Sequence, residues 1–254
     1  MHQSSIHSSN YLAKIFYWLF LGILVILSSW ACLDIGLGWD EGIERLTLNK
    51  NLHAIKGLLG GSTAAYQELI QYGDRYYGIG FHLPALMLGE LIQAIIPAYS
   101  SQPDLIFAHF GVLLCFLGSA YLIRSILVRL TRDKSFSSLA MLTYLLWPYL
   151  MGHGLMNVKD MPFLFAWLTC TNLALIYFFE DCKISPKANF TSYRALFFLA
   201  IATSWLLSIR ISGILIFIEY ACFMFFAYIS ELLRQKNVNP IIDLRKVIKP
   251  ALIF

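Results

Sequence analysis

Residues 15–33, IFYWLFLGILVILSSWACL, form a run without one charged side chain. A helix needs roughly 20 mainly apolar residues to cross the hydrocarbon core of a bilayer, where each peptide group must be satisfied within the helix itself. This run meets that length and excludes most water-soluble architectures. Further apolar runs at 105–127, 136–150, 161–179, 195–209 and 211–232 predict five more spans. The composition agrees. Apolar residues make up 58% and charged residues 13% of the chain, against about half and a quarter in a typical soluble domain. The sequence therefore predicts an all-α, polytopic transmembrane helix bundle. Its flank, MHQSSIHSSNYLAK, lacks a small-residue cleavage site, so the first run reads as a retained signal anchor.

Orientation follows from the basic residues, because loops rich in Lys and Arg stay on the cytoplasmic side. Lys14, then Arg124 to Lys134, then Lys183, Lys187 and Arg194, then Arg234, Lys236, Arg245, Lys246 and Lys249 all fall on one side if the N-terminus is cytoplasmic. The expected location is thus the inner (plasma) membrane, with several passes and the loops at 34–104 and 151–163 on its outer face. The net charge of +4 reflects this asymmetry, and no nucleic-acid partner is expected. The segment KPALIF at 249–254 reads as the start of a seventh span, so the 254 residues read as one transmembrane domain, the N-terminal portion of a longer chain.

The first outer loop, 34–104, is too long for a connector. In WDEGIERLTLNKNLHAIKGLL the residues Ile43, Leu46, Leu48, Leu52, Ile55 and Leu58 recur at helical spacing. They predict an amphipathic helix lying on the membrane surface. A second segment, FHLPALMLGELIQAIIP, is interrupted by Pro84, Gly89, Glu90 and Gln93 and is read as another interfacial helix. Cys32, Cys115, Cys170, Cys182 and Cys222 lack zinc or redox spacing and read as packing residues. There is no phosphate-cradling glycine loop and no dinucleotide fingerprint.

Acidic residues stand at both polar segments. Asp40 and Glu41 follow the first span, and Asp160 precedes the fourth. If the spans bundle, these carboxylates meet at one membrane face, where such groups serve as a general base or bind a metal. The plainer alternative is a set of solvated acids at span ends, with Asp160-Met161-Pro162 an ordinary helix start.

The stretches WDEG at 39–42, YGIGFHLPAL at 77–86, GHGLMNVKDMPFLF at 152–165 and SIRISG at 208–213 resemble the GT-C glycosyltransferases. More narrowly, they are similar to the family-39-like branch that includes protein O-mannosyltransferases and the lipid A aminoarabinose transferase. The resemblance covers nearly the whole chain, but only the N-terminal half of such an enzyme. It implies an inverting transfer of a sugar from a polyprenyl-phosphate carrier to an acceptor glycolipid, glycan or protein. Membrane lipids are implied partners. On that resemblance Asp40 is the general base, Glu41 orients it or holds a divalent metal, and Asp160 shapes the donor or acceptor pocket. Lys159 and Arg210 would grip the carrier phosphate, His153 would support the acceptor or a metal, and Tyr76 and Tyr77 would contact sugar or lipid. Each has a plainer alternative: Lys159 snorkelling, Arg210 a turn residue, His153 an ordinary turn histidine, the tyrosines interfacial anchors. Glu219, inside the sixth span, has no assigned role. A transporter or lipid-handling protein, or an inactive truncated remnant of the enzyme, are the competing readings.

Overall fold

The computed structural model describes residues 2–38, 40–97, 103–181 and 190–234. The basic residues Lys183, Lys187, Lys236, Arg245, Lys246 and Lys249, Cys182, and the expected seventh span lie outside the described residues. Within them the chain is helical and contains no β-strand. The helices are α1 (His2–Asp34), α2 (Glu41–Leu59), α3 (Ala64–Gln71), α4 (His82–Ile95), α5 (Pro103–Thr131), α6 (Lys134–Leu146), α7 (Pro148–Met156), α8 (Asp160–Leu175), α9 (Phe190–Ile209) and α10 (Ile216–Arg234). A π-helical turn, Ile176–Asp181, extends α8, and a 3₁₀ turn, Ile211–Leu215, leads into α10.

Four helical stretches are long and apolar enough to cross a membrane: Tyr17–Asp34, Asp104–Thr131, Asp160–Phe179 and Ile211–Ile229. Their outer surfaces carry large apolar side chains such as Trp18, Ile26, Leu114 and Ile218, all exposed. A surface of that kind suits lipid. The interior is close-packed around Phe116, Leu145, Ala166, Leu206 and Ile216.

One expected span differs. The run at 136–150 is not one helix. The backbone turns extended at Trp147 (ψ 112°), and Pro148 opens a new helix. A proline ring clashes with the preceding turn and pushes the residue before it out of helical geometry. The resulting α6 has 13 residues, about 20 Å at 1.5 Å per residue, short of a roughly 30 Å core. The run at 195–209 lies within α9, a helix of 20 residues whose apolar part is Tyr193–Ile209.

Local chemistry explains the boundaries. The α5–α6 turn places Arg132 in the left-handed region (φ 60°). Asp133 then caps α6, its carboxylate accepting from the backbone N–H groups of Ser135 at 2.9 Å and Phe136 at 3.0 Å. Helix α5 is the hub, packed against α1, α4, α6, α7 and α8. Its Gly118 lets α8 approach, since a Cβ there would lie 2.5 Å from the ring of Phe165. Small residues serve this purpose in membranes, where helix association rests on packing.

A helix forms over the stretch expected to be amphipathic, with its polar face inward. Its buried residues are Glu41, Glu44, Thr47, Leu48 and Ala54. Ile43, Leu46, Ile55 and Leu58 are exposed. Of the apolar stripe predicted from sequence only Leu48 is buried, so α2 turns its polar face to the protein. Helix α4 has 14 residues and is too short to span, as read from its interruptions; His82, Ala85 and Gly89 form its buried face.

Gly118→Leu should lower stability by about 1–3 kcal/mol, the usual range for overpacking, read as an earlier thermal unfolding transition in detergent. Gly22→Leu, where nothing lies within 4 Å of the added carbon, should leave that transition in place.

Candidate functional site

Helix α2 begins three residues after Gly38, and its first turn carries both acids inward. The side chain of Glu41 is 3% exposed, and Oε1 lies 2.6 Å from Nε2 of His109 on α5. A carboxylate only accepts, so the imidazole Nε2–H is the donor. The other carboxylate oxygen, Oε2, accepts from the backbone N–H of Gly38. One buried side chain thus stitches the turn at residues 38–41 to the centre of the bundle.

One helical turn later, Glu44 Oε1 pairs with Lys159 Nζ at 3.2 Å. Burial pushes the Glu44 carboxyl above its usual range, and the Lys159 charge only partly opposes this. Burial also works against the charge of Lys159, but Glu44 and Tyr77 more than offset it and hold the ammonium pKa above its ordinary value. The ammonium sits 3.6 Å from the centre of the Tyr77 ring, a cation–π contact. His82 Nε2 is 3.7 Å from Glu44 Oε2. Burial lowers the His82 pKa to about 4 despite the neighbouring Glu41 charge, so the ring is neutral at pH 7 and this contact is no ion pair.

The motif NVKDMPF forms the start of α8. Asn157 Oδ1 accepts from the backbone N–H groups of Lys159 (3.1 Å) and Asp160 (2.7 Å), capping the helix. Its amide nitrogen reaches His153 Nδ1 (2.6 Å) and Asp160 Oδ2 (3.2 Å). Asp160 Oδ1 accepts from Arg210 Nη1 at 2.7 Å. The adjacent side chains therefore diverge, Lys159 to α2 and Asp160 to the α9–α10 junction.

The segment at 77–80 closes this end of the bundle. Gly78 N–H donates to Ile209 C=O (3.1 Å) and Gly80 N–H to Ser208 C=O (3.0 Å). Tyr77 and Arg210 form an antiparallel bridge. No side chain fits here: a Cβ on Gly78 would lie 1.8 Å from the Ser208 oxygen. Arg210 also approaches the rings of Tyr77 (5.4 Å) and Phe163 (5.7 Å).

Beside these pairs lies an open cleft of about 410 Å³, lined by Gly38, Asp40, Glu41, α7, Asn157 and Val158, within the roughly 300–1,000 Å³ range of ligand sites. Asp40, exposed, and His153, partly buried, both line it.

Asp40, Glu41, His153, Lys159, Asp160, Arg210 and Tyr77 gather at one end of the helices. Tyr76 does not join them. It is exposed, and its hydroxyl and ring lie against Arg75. Arg210 is no idle turn residue, and Lys159 does not simply snorkel. Both cations expected to hold a phosphate already face a carboxylate. Among the described residues, no group of three or more His, Cys, Asp or Glu side chains is arranged to hold a metal ion.

His109, Glu44, His82 and Asn157 are the site residues that sequence reading did not single out. The placement of His109 six residues into an apolar helix, five after Asp104, is the signal that could have found it. Compared with known proteins, the chain matches no family model, no curated protein and no solved structure.

Two outcomes follow from this geometry. Removing one partner of a buried pair costs roughly 3–5 kcal/mol, so His109→Ala should destabilise the protein by that order. Adding Glu41→Gln should restore part of the loss in a double-mutant cycle of thermal unfolding. The second concerns pH. Because folding depresses the His82 pKa from 6.5 to about 4, the unfolded chain binds the extra proton first. The His82 contribution therefore erodes as pH falls from 6.5 toward 4, and His82→Gln should flatten the stability profile within that window.

Proposed function

We propose that the chain is a membrane glycosyltransferase of the GT-C type, moving a sugar from a polyprenyl-phosphate carrier to an acceptor on the outer face of the inner membrane. One observation carries the reading. The four stretches that resemble such enzymes, far apart in sequence, meet at one end of the bundle, with an exposed carboxylate on a cleft and two cations beyond it.

The four apolar helices and the lipid-suited outer surface support a membrane location. A donor anchored in the bilayer by its own tail reaches a site at the helix ends without a nucleotide pocket. The first two residues of the cluster divide the work. Asp40, exposed at the cleft, is placed to accept a proton from an incoming nucleophile. Glu41, with both oxygens engaged, holds the turn that presents it. This exchanges an orienting contact between the two acids for one through the backbone.

In the proposed reaction the acceptor oxygen or nitrogen attacks the anomeric carbon, and its proton passes to Asp40. The bond from that carbon to the phosphate oxygen breaks, and polyprenyl phosphate leaves with the electron pair. Attack opposite the leaving group inverts the anomeric centre. Charge then develops on the phosphate, and stabilising it is the main electrostatic task. Arg210, partly exposed and paired with the exposed Asp160, is the cation that can turn to phosphate, since the guanidinium has donors beyond those used on Asp160. Lys159, enclosed by Glu44 and Tyr77, adds positive potential at closer to fixed geometry. Should a divalent metal take part, Asp40 is the one carboxylate of the 40–41 pair with oxygens open to it, and the metal would supply Lewis-acid neutralisation of the phosphate.

Asp40→Asn should abolish transfer of radiolabelled sugar from polyprenyl phosphate in membranes while leaving the amount of protein unchanged. Arg210→Ala should raise the donor KM more than it lowers kcat. Wild-type turnover in Asp40→Asn would sink the assignment.

A further inference from the structure

We propose that the cleft between the 38–41 turn and α7 is an acceptor subsite for a carbohydrate ring, with Tyr149 as its stacking face and the Nε2–H of His153 as its donor. The inference rests on the glycosyl-transfer reading for its biological sense, but on separate residues for its chemistry.

The tautomer of His153 follows from its neighbour. Asn157 Oδ1 faces the backbone N–H groups of Lys159 and Asp160, which fixes which end of the amide is oxygen. The amide nitrogen, a donor only, then lies 2.6 Å from His153 Nδ1. That ring nitrogen must accept, so the proton sits on Nε2. Among the described residues this Nε2–H has no hydrogen-bond partner, on a ring that lines the cleft. Tyr149 is 68% exposed on the same wall, its ring centre 4.4 Å from that of His153 at a tilt of 55°. Gly152, between them, adds no side chain.

Gly38 and Asp40, the latter exposed, also line the cleft. The cleft thus offers an aromatic face, one N–H donor and one carboxylate acceptor. A sugar ring matches this set. Its C–H face carries partial positive charge toward the negative face of the aromatic ring, and its rim of hydroxyls both donates and accepts. A hydrocarbon tail would leave Asp40 and His153 unanswered. A phosphate or carboxylate ligand would meet Asp40 as a like charge, and an ammonium would meet the outward N–H of a neutral imidazole.

Asn157 also fixes the relation to the donor side. Its amide touches His153 on the cleft wall and Asp160 on the cation side. A sugar on Tyr149 would therefore lie beside Asp40, with the cations beyond the start of α8, as attack on a phosphate-linked sugar requires.

The test is photolabelling of the full chain in lipid nanodiscs with a diazirine-bearing methyl hexoside, the label being located by mass spectrometry. The expected result is labelling within residues 148–157 that unmodified methyl hexoside competes away. Tyr149→Ala should lose most of it, while Tyr149→Phe keeps it and His153→Gln, which retains a donor, keeps more than His153→Ala. Since Tyr149 is exposed, its loss does not open the core. Labelling that is absent, that persists in Tyr149→Ala, or that yields to a serine- and threonine-bearing peptide or to tetramethylammonium rather than to the hexoside would overturn the proposal. The unaltered chain separates the two readings: Tyr149-dependent labelling in a protein that shows no transfer activity would support the subsite and sink the reaction. Transfer with labelling indifferent to Tyr149 would do the reverse.

Discussion

Two carboxylates on the first turns of α2 are withdrawn from water, and the rest of this end of the protein is arranged around that fact. An ionised side chain stripped of hydration persists only where donors or cations replace the lost solvent. Glu41 has His109 and a backbone N–H, and Glu44 has Lys159. Because these partners come from α5 and from the start of α8, meeting the demand of α2 also sets where those helices end relative to one another. The outward face of the same helix carries Ile43, Leu46, Ile55 and Leu58. An amphipathic helix at a membrane is usually pictured with its polar face in water. Here that face is spent on the protein, and the apolar one is left exposed.

The second organising contact is made by backbone alone. Gly78 and Gly80 come so close to Ser208 and Ile209 that only hydrogen occupies the space where a side chain would stand. The N–H groups of a loop thereby satisfy carbonyls at the C-terminal end of α9, which the helix leaves without partners. Closing the helix end in this way brings Tyr77 against Arg210 and gives Lys159 an aromatic face. Helix termination and site construction are one event here, achieved with the same few atoms.

Electrostatically the site is balanced. Each cation that a phosphate would use already faces a carboxylate, one buried and one exposed. The exposed pair is held more weakly, because water and salt screen it, so a ligand anion competes on better terms for Arg210 than for Lys159. That difference lies in burial, since both pairs join the same kinds of charge. It separates a mobile grip from a standing positive potential, a division that suits the proposed transfer.

The helical character, the apolar stretches and the helices of the 41–95 region were legible in the sequence, since they depend on local runs and on spacing along a single helix. The meeting of Asp160 with Arg210 and of Lys159 with the first turns of α2 agrees with the expectation that these polar segments share one face, although the sequence did not show which side chains would pair. The break at Trp147-Pro148 overrode an apolar run that hydropathy alone reads as continuous, although the proline was in plain view. What could not be read was partnership. Periodicity places Ile43 and Glu44 on different faces of α2 but does not say which face meets protein, because that depends on what α5 and α8 present. His109 lies among apolar neighbours and has meaning only once Glu41 is opposite it. Local sequence decides which residues share a helix and a face. Only the packed structure decides which faces meet, because the free energy of burying a charge depends on partners drawn from elsewhere in the chain.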